Sequence, residues 1–344
     1  MVYPQLSSGS RGKGLGTVRA FARRAFFYLI AAWAAITLNF ILPRVMPGDP
    51  VTAMLNKMRG GLALSPNAVF ALRKLFGQND GNLWHQYVEY WGKLFHGDLG
   101  VSVTDYPNSV WSVIQGSAPW TLVLIGISTV ISFLLGTMLG VFVGWKRGTW
   151  LDSFVPITNF ISAIPYFWFA LIAVYVLATQ LHWFPINQAY GLGMQPAFSG
   201  PFIGSALYHG ILPALTIVVS SIGGWLLGMR NMMVTTLSED YVLLAEAKGL
   251  GKRRIIFSYA ARNAMLPSLA GFAMSLGFVI GGSIVTEVVF SYPGLGYVLF
   301  SAVQNQDYPL MQGCFLFLII TVLLANLVVD FLYVLLDPRT RQEA

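Results

Sequence analysis

The chain has 344 residues, 56% of them hydrophobic and 10% charged, with a net charge of +7. Soluble domains carry roughly 25% charged residues, and Ser153 to Met229 contains no Asp, Glu, Lys or Arg. This excludes an ordinary soluble fold and assigns the positive charge to the cytoplasmic loops of a membrane protein, with no nucleic-acid partner. The lone cysteine, Cys314, excludes a disulfide framework and a thiol metal cluster.

In chain order, residues 1–24 are rich in Ser, Gly and Arg and read as a flexible cytoplasmic tail. Ala25 to Pro43 is uncharged and longer than the apolar core of a signal peptide, so 25–45 reads as an uncleaved first span. Residues 46–117 form the one sizeable region outside the bilayer. Within it Ser65-Pro66 has the form of a helix start. The stretch NLWHQYVEYWGKLF places Leu83, Tyr87, Tyr90 or Trp91, and Leu94 at helical spacing. Two readings of that helix stay open: one lying at the membrane interface, and one forming a docking surface.

Five further apolar runs follow within a core of 118–336, at about 118–144, 155–181, 211–228, 269–290 and 315–336. The start of the fourth can move into the Gly- and Pro-rich segment before it. The expected fold is therefore an all-α membrane protein with six transmembrane helices. Lys and Arg lie in the N-terminal tail, at Lys146 and Arg147, throughout 229–268, and in the tail 337–344. The first loop, from Arg44, holds six more, but at about 70 residues it is too long to weigh strongly. The loops after the third and fifth spans have none. The positive-inside rule then places both termini and the loop 229–268 in the cytoplasm.

Catalytic signatures are absent: there is no G-x-x-x-x-G-K-[ST], H-E-x-x-H or G-x-S-x-G. His85, His96, His182 and His209 have no metal spacing. The expected role is non-enzymatic, without metal or cofactor in this chain. Glu287 and Asp330 fall in or beside spans, where acids are costly and become functional candidates. Against that, Glu287 precedes SYPGLG, where it can be wet or capped by backbone amides, and Asp330 can pair with a neighbouring base. Gly126, Gly136, Gly140 and Gly144, and Gly271, Gly277, Gly281 and Gly282, permit close helix packing. Alternatively, helices bearing them line a path; the candidates for it are Gly277, Gly281 and Glu287. Tyr166, Phe167 and Trp168 suit packing, interface anchoring or substrate contact.

The loop 229–268 contains AEAKGLGKRRIIFSYAARNAMLP, with Lys248, Lys252, Arg253, Arg254 and Arg262 against Glu246. Ser238-Glu239-Asp240 reads as a helix start, and Gly249 fits the left-handed position that ends the helix. A second helix is expected from Lys252 to Ala264, before Pro267. Its N-terminus carries the wrong sign, at a cost of about 0.3–1 kcal/mol per exposed contact. Anionic lipid or an acidic protein partner can offset that cost. The Gly-Leu-Gly bend and the small Ala245 and Ala247 favour a compact knob that fits a groove on another protein. Its residues are Ala245, Glu246, Ala247, Lys248, Gly249, Leu250, Gly251, Lys252, Arg253 and Arg254.

This loop resembles the EAA loop in permease subunits of binding-protein-dependent ABC importers. From about Arg23 to Arg341 the chain resembles the first permease of the peptide/oligosaccharide/nickel class. The stretches that carry the likeness are RVMPGDPV (44–51), HGDLGVS (96–102), KRGTWLD (146–152), AIPYFWFAL (163–171), AKGLGKRR (247–254), ARNAMLP (261–267), TEVVFSYPGLG (286–296), DYPLMQG (307–313) and DFLYVLLDPR (330–339). Aligned on Gly249, the Glu and first Ala of the EAA pattern are replaced by Leu243 and Leu244, and its Leu-Pro by Ala261 and Arg262. A lost Glu contact would then pass to Glu246 and the basic residues.

The resemblance implies a path formed with a second permease, in a heterodimer. Two partner ATPases hold ATP and Mg, and an external binding protein delivers oligopeptides or oligosaccharides. Nickel or another small solute is the alternative cargo. A channel or secondary carrier working alone is the rival class; it would favour polar spans and a readable repeat, and neither is present.

Overall fold

The computed structural model describes residues 12–46, 82–278 and 284–336, and among these the protein is helical. Helix α1 covers Gly12–Val45. It begins inside the stretch read as a flexible tail, and from Val18 to Arg24 no helix breaker interrupts it. Helix α2 is Leu83–Phe95 and α3 is Val110–Trp145. Helix α4 is Phe154–Ala163, and α5, Tyr166–Ala173, continues as π-helix over Val174–Gln180. Helix α6 is Gly200–Leu237, and α7 is Asp240–Ala247. After a helical turn Lys252–Arg254 and a π-helical segment Ile255–Ala261 comes α8, Arg262–Phe278. Helices α9, α10 and α11 are Ile284–Val289, Leu295–Gln304 and Tyr308–Leu336.

Four of these are long and apolar enough to cross a membrane: Ala25–Val45 of α1, α3, α6 and Tyr308–Val328 of α11. The third expected span, 155–181, is broken. Its two parts meet at 89° and count as a fifth crossing only if taken as one. Pro165 is the cause: it forces Ile164 into extended backbone (φ −75°, ψ 128°). The second, fourth and sixth spans start earlier than expected, at Val110, Gly200 and Tyr308. The fifth expected span, 269–290, falls on α8 and α9 and includes 279–283, which lie outside the described residues. So do Ser65-Pro66, Gly281, Gly282 and the side chain of Asp330; Gly277 falls near the end of α8.

The broadest helix contact is between α3 and α6. Gly136, Gly140 and Gly144 make one stripe on α3, four residues apart, as one face of a helix requires. A Cβ on Gly136 would lie 2.8 Å from the Ile222 carbonyl oxygen, and one on Gly140 2.6 Å from that of Leu226. One on Gly144 would lie 2.6 Å from the Met233 Cβ. Gly126 has nothing within 4 Å and takes no part. Away from this seam, Leu122, Val123, Leu134, Leu135 and Met138 are exposed, the apolar surface that lipid covers.

Two buried carboxylates tie the other end of the bundle together. Asp307 precedes α11. Its Oδ2 accepts from Ser102 Oγ (2.6 Å), Thr104 N (2.8 Å) and Thr104 Oγ1 (2.7 Å), and its Oδ1 from Leu310 N (3.1 Å). Glu287 is 0% exposed. Its Oε2 accepts from Gly296 N (2.7 Å) and Tyr297 N (3.1 Å), at the start of α10. Its Oε1 accepts from Thr121 Oγ1 (2.8 Å), which itself accepts from Leu295 N (2.7 Å). Of the readings open for Glu287, the structure shows the amide-capped one; the residue is not wet. Helix α2 packs Tyr87 and Tyr90 on Phe40 of α1, with Tyr87 hydroxyl 2.8 Å from Thr37 Oγ1. Its Leu83, Trp84, Val88 and Phe95 face outward.

Candidate functional site

The loop between α6 and α8 is a compact knob. Val242 and Ala245, three apart on α7, bury against Ile255, with Trp145, Leu237, Leu250 and Tyr259 around them. Gly249 takes φ +72°, Gly249 N donates to Glu246 O (2.8 Å), and Leu250 N donates to Ala245 O (3.3 Å). These two bonds form a Schellman motif, which satisfies the last carbonyls of α7 and needs a residue free of the Cβ penalty at Gly249. Gly251 then turns the chain extended, and Arg254 N and Ile255 N donate to its carbonyl (2.9 and 3.2 Å). The second helix does not stop at Ala264. It runs as π-helix over Ile255–Ala261 and then into α8 through Pro267. Ile256, Ala260, Ala261 and Ala264 are held by Val141, Met229 and Met233, so packing overrides the proline.

The sequence-predicted knob residues divide by exposure. Glu246, Ala247, Lys248, Gly249, Gly251, Lys252, Arg253 and Arg254 are exposed, and Leu250 is half-buried. Ala245 is buried and serves the knob from inside. Ion pairs among the described residues are Lys93–Glu89 and Arg230–Asp152, so the knob's cations are unmatched there. Sequence reasoning missed an apolar face: Leu243 and Leu244 are 52% and 55% exposed, beside an exposed Tyr241. Helical register accounts for it: with Val242 and Ala245 pointing inward, the two residues between them must point outward.

Beside the knob, Arg230 near the end of α6 grips Asp152 from the loop after α3. Arg230 Nη2 lies 2.8 and 3.0 Å from the two Asp152 oxygens, and Nε 3.1 Å from one. These two charges bracket the uncharged stretch 153–229. The Arg230 hydrogen bonds hold the Asp152 carboxyl below the usual carboxylate range. A carboxylate depressed on folding contributes stability that is complete above its unfolded value of about 3.9. That stability is lost as pH falls through the lower folded value. Asp152→Asn is therefore expected to lower stability by about 1–2 kcal/mol at pH 7. The gap between variant and parent closes only in strong acid, which thermal unfolding at pH 7, 5 and 3 measures.

A cavity of about 480 Å³ lies where the third span breaks. Ala163, Ile164 and Pro165 line it at the break, with Thr129, Ser132, Ser162, Ser220, Ser221, Ser275 and Thr286 around them. No described lining residue is charged. Tyr166 also lines it, whereas Phe167 and Trp168 do not. Glu287 lies next in sequence to Thr286 but turns into the amide cap. No group of three or more His, Cys, Asp or Glu among the described residues could hold a metal ion.

Residues 136–342 match the family described as the inner membrane component of binding-protein-dependent transport systems. The chain is 33% identical over 306 residues to the oligopeptide transport system permease protein AppB of Bacillus subtilis, covering 88% of this chain and 92% of that one. It is 33% identical over 340 residues to the di/tripeptide transport system permease protein DppB of Pseudomonas aeruginosa, covering 94% and 99%. To the dipeptide transport system permease protein DppB of Escherichia coli it is 31% identical over 344 residues, again covering 94% and 99%. The chain is thus a non-catalytic membrane permease, and it belongs to the family of inner membrane components of binding-protein-dependent transport systems.

Proposed function

We propose that the protein is one of two permease subunits, in a heterodimer, of an ATP-driven importer of peptides. The likeness to permeases named for dipeptides, di/tripeptides and oligopeptides over nearly the whole chain carries this reading. It favours peptides over the oligosaccharide and nickel alternatives. In this reading the chain crosses the membrane six times, with α8 and α9 together as the fifth span and both termini cytoplasmic. An external binding protein delivers the peptide, and two ATPase subunits bind ATP and Mg.

The knob around Gly249 is where an ATPase docks. Its exposed Leu243 and Leu244 occupy the positions of the Glu and first Ala of the EAA pattern, so apolar burial replaces a charged contact there. Lys248, Lys252, Arg253 and Arg254 surround it with unmatched positive charge that an acidic rim on the ATPase neutralises. Closure of the ATPases on ATP moves the knob, and the knob, packed on α3 and α6 through Trp145 and Leu237, rocks the helices as a rigid body.

The test uses the whole transporter, purified through its ATPase. Gly249→Glu with Arg253→Glu strains the left-handed turn and reverses the local charge. Permease recovered with the ATPase is expected to fall more than tenfold, while folded permease persists in the membrane. Undiminished recovery would sink the docking assignment.

A further inference from the structure

We infer that α2 is a membrane anchor lying along the bilayer surface, with Trp84, Val88, Trp91 and Phe95 set into the phospholipid leaflet where α1 ends. This depends on α1 crossing the bilayer and is independent of the cargo. Three observations support it.

The first is how the surface of α2 is divided. No residue of α2 is buried in the protein. At about 100° per residue, its side chains fall into three sectors. Tyr87 and Tyr90 lie on the first and meet α1, with ring centroids 5.2 and 5.5 Å from that of Phe40. His85, Gln86, Glu89 and Lys93 make the second, where Lys93 Nζ pairs with Glu89 Oε1 at 2.9 Å. Trp84, Val88, Trp91 and Phe95 make the third. Of these, Trp84, Val88 and Phe95 are 69%, 53% and 81% exposed. The rings of Trp91 and Phe95 lie 5.7 Å apart along the helix, so the third sector is one apolar surface. A helix polar on one side and apolar on the other is built to lie in a membrane interface, and Trp is enriched at that level.

The second is depth. The apolar span of α1, Ala25–Val45, has 21 residues, about 31 Å at about 1.5 Å each. A hydrocarbon core is about 30 Å thick, so Val45 stands at its edge. Phe40 and Thr37 precede Val45 by about 7 and 12 Å along the axis. Helix α2 packs on both, through the Phe40 rings and through the Tyr87 hydroxyl at 2.8 Å from Thr37 Oγ1. Those contacts hold α2 at the boundary of headgroups and acyl chains, where surface helices sit about 5–10 Å deep. A helix standing clear in water would meet α1 beyond Val45, not before it.

The third is orientation. Arg44, the charge that closes the span, donates from Nε to Gln86 Oε1 (3.1 Å). The polar sector of α2 therefore faces the charged end of α1. Phe95 lies about 180° round α2 from Gln86, so the free apolar sector faces the acyl chains. On α1, Leu38, Ile41, Leu42 and Val45 are exposed as well, and Ile41 follows Phe40 directly round the helix. The lipid-facing side of α1 thus borders its contact with α2. A protein docking from the water would meet His85, Gln86 and Glu89 instead of the free apolar sector.

The test is spin-label accessibility in the complete transporter in phospholipid nanodiscs, with the other subunits made cysteine-free. Val88→Cys and Phe95→Cys each place a nitroxide in the free apolar sector, and His85→Cys places one in the polar sector. Cys314 is 0% exposed and stays in place, and the parent chain gives the background signal. Stimulation of ATP hydrolysis by loaded binding protein verifies that each complex is assembled. The ratio of collisions with oxygen to collisions with a water-soluble nickel chelate is expected to be about tenfold higher at positions 88 and 95 than at 85. Either label in the apolar sector is sufficient, so loss of assembly by one leaves the test intact. Equal chelate access at all three positions would put the sector in water and overturn the inference. Shielding of 88 and 95 from both oxygen and chelate would mean that protein covers the sector, with the same result. Chelate access that disappears only when binding protein is added would make the sector a docking surface and would also overturn it.

Discussion

Replacing Glu287 with alanine is expected to destabilise the protein by about 3–5 kcal/mol. The carboxylate accepts from Gly296 N, Tyr297 N and Thr121 Oγ1, and the methyl group of alanine accepts from none. Three donors would lose their acceptor, and the start of α10 would lose part of its hold on α3, keeping the bond from Leu295 N to Thr121 Oγ1. Neighbouring glycines show how closely the site is fitted. A Cβ on Gly296 would lie 2.9 Å from Glu287 Oε2 and 2.7 Å from the Ile284 Cα. Thermal unfolding in detergent should show Tm falling by many degrees, or no monodisperse protein at all. Glu287→Gln keeps an oxygen for the two amides and is expected to cost about 1–2 kcal/mol. Should Glu287→Gln keep full stability and yet abolish transport, the charge would have to act in the transport cycle and the anchoring role would be refuted.

The second large effect is expected at the α3–α6 seam. Leucine at Gly140 places its Cβ 2.6 Å from the Leu226 carbonyl oxygen and 2.7 Å from the Met229 Cβ. Backbone cannot rotate away as a flexible side-chain end can, so the two helices must part. The cost is about 3 kcal/mol or more, and it falls on the broadest helix contact in the fold. Gly126→Leu is the control, because nothing lies within 4 Å of its Cβ position. Gly140→Leu should fail to accumulate or should unfold well below the parent, while Gly126→Leu should match the parent in yield and Tm. Equal behaviour of the two variants would mean that the seam is looser than it is drawn.

What the sequence disclosed follows from the range of the forces involved. Local features were legible. Gly249 announced its left-handed turn, the aromatic spacing announced α2, and the acidic start announced α7. Pairings distant in sequence were not, because nothing in one sequence tells Asp307 that its partners are Ser102 and Thr104, or Glu287 that Thr121 faces it. Those contacts join HGDLGVS to DYPLMQG and seat TEVVFSYPGLG against α3. Motifs that carried the family likeness are thus partly structural staples.

Prolines show the limit from the other side. Pro119, Pro213 and Pro267 each lie inside a continuous helix, whereas Pro165 ends one. All four interrupt apolar runs, and only tertiary packing tells them apart. The candidate site divides in the same way. The charged rim of the knob could be listed from residue types alone. Its apolar face required knowing that Val242 and Ala245 point inward, and the hydroxyl cavity required five chain segments to be brought together.

The grip of Arg230 on Asp152 also fits the proposed topology by parity. Two side chains in contact lie on the same side of a bilayer, so the chain between them must cross an even number of times. Helix α6, with 38 residues at about 1.5 Å of rise each, accounts for one of those crossings. In that topology the bent pair α4–α5 supplies another. A re-entrant loop enters and leaves by the same face, contributes nothing to the count, and would strand Asp152 opposite its arginine. In the proposed six-crossing topology the 89° bend is thus an elbow in a segment that goes all the way through, and residues 153–229 make a single round trip.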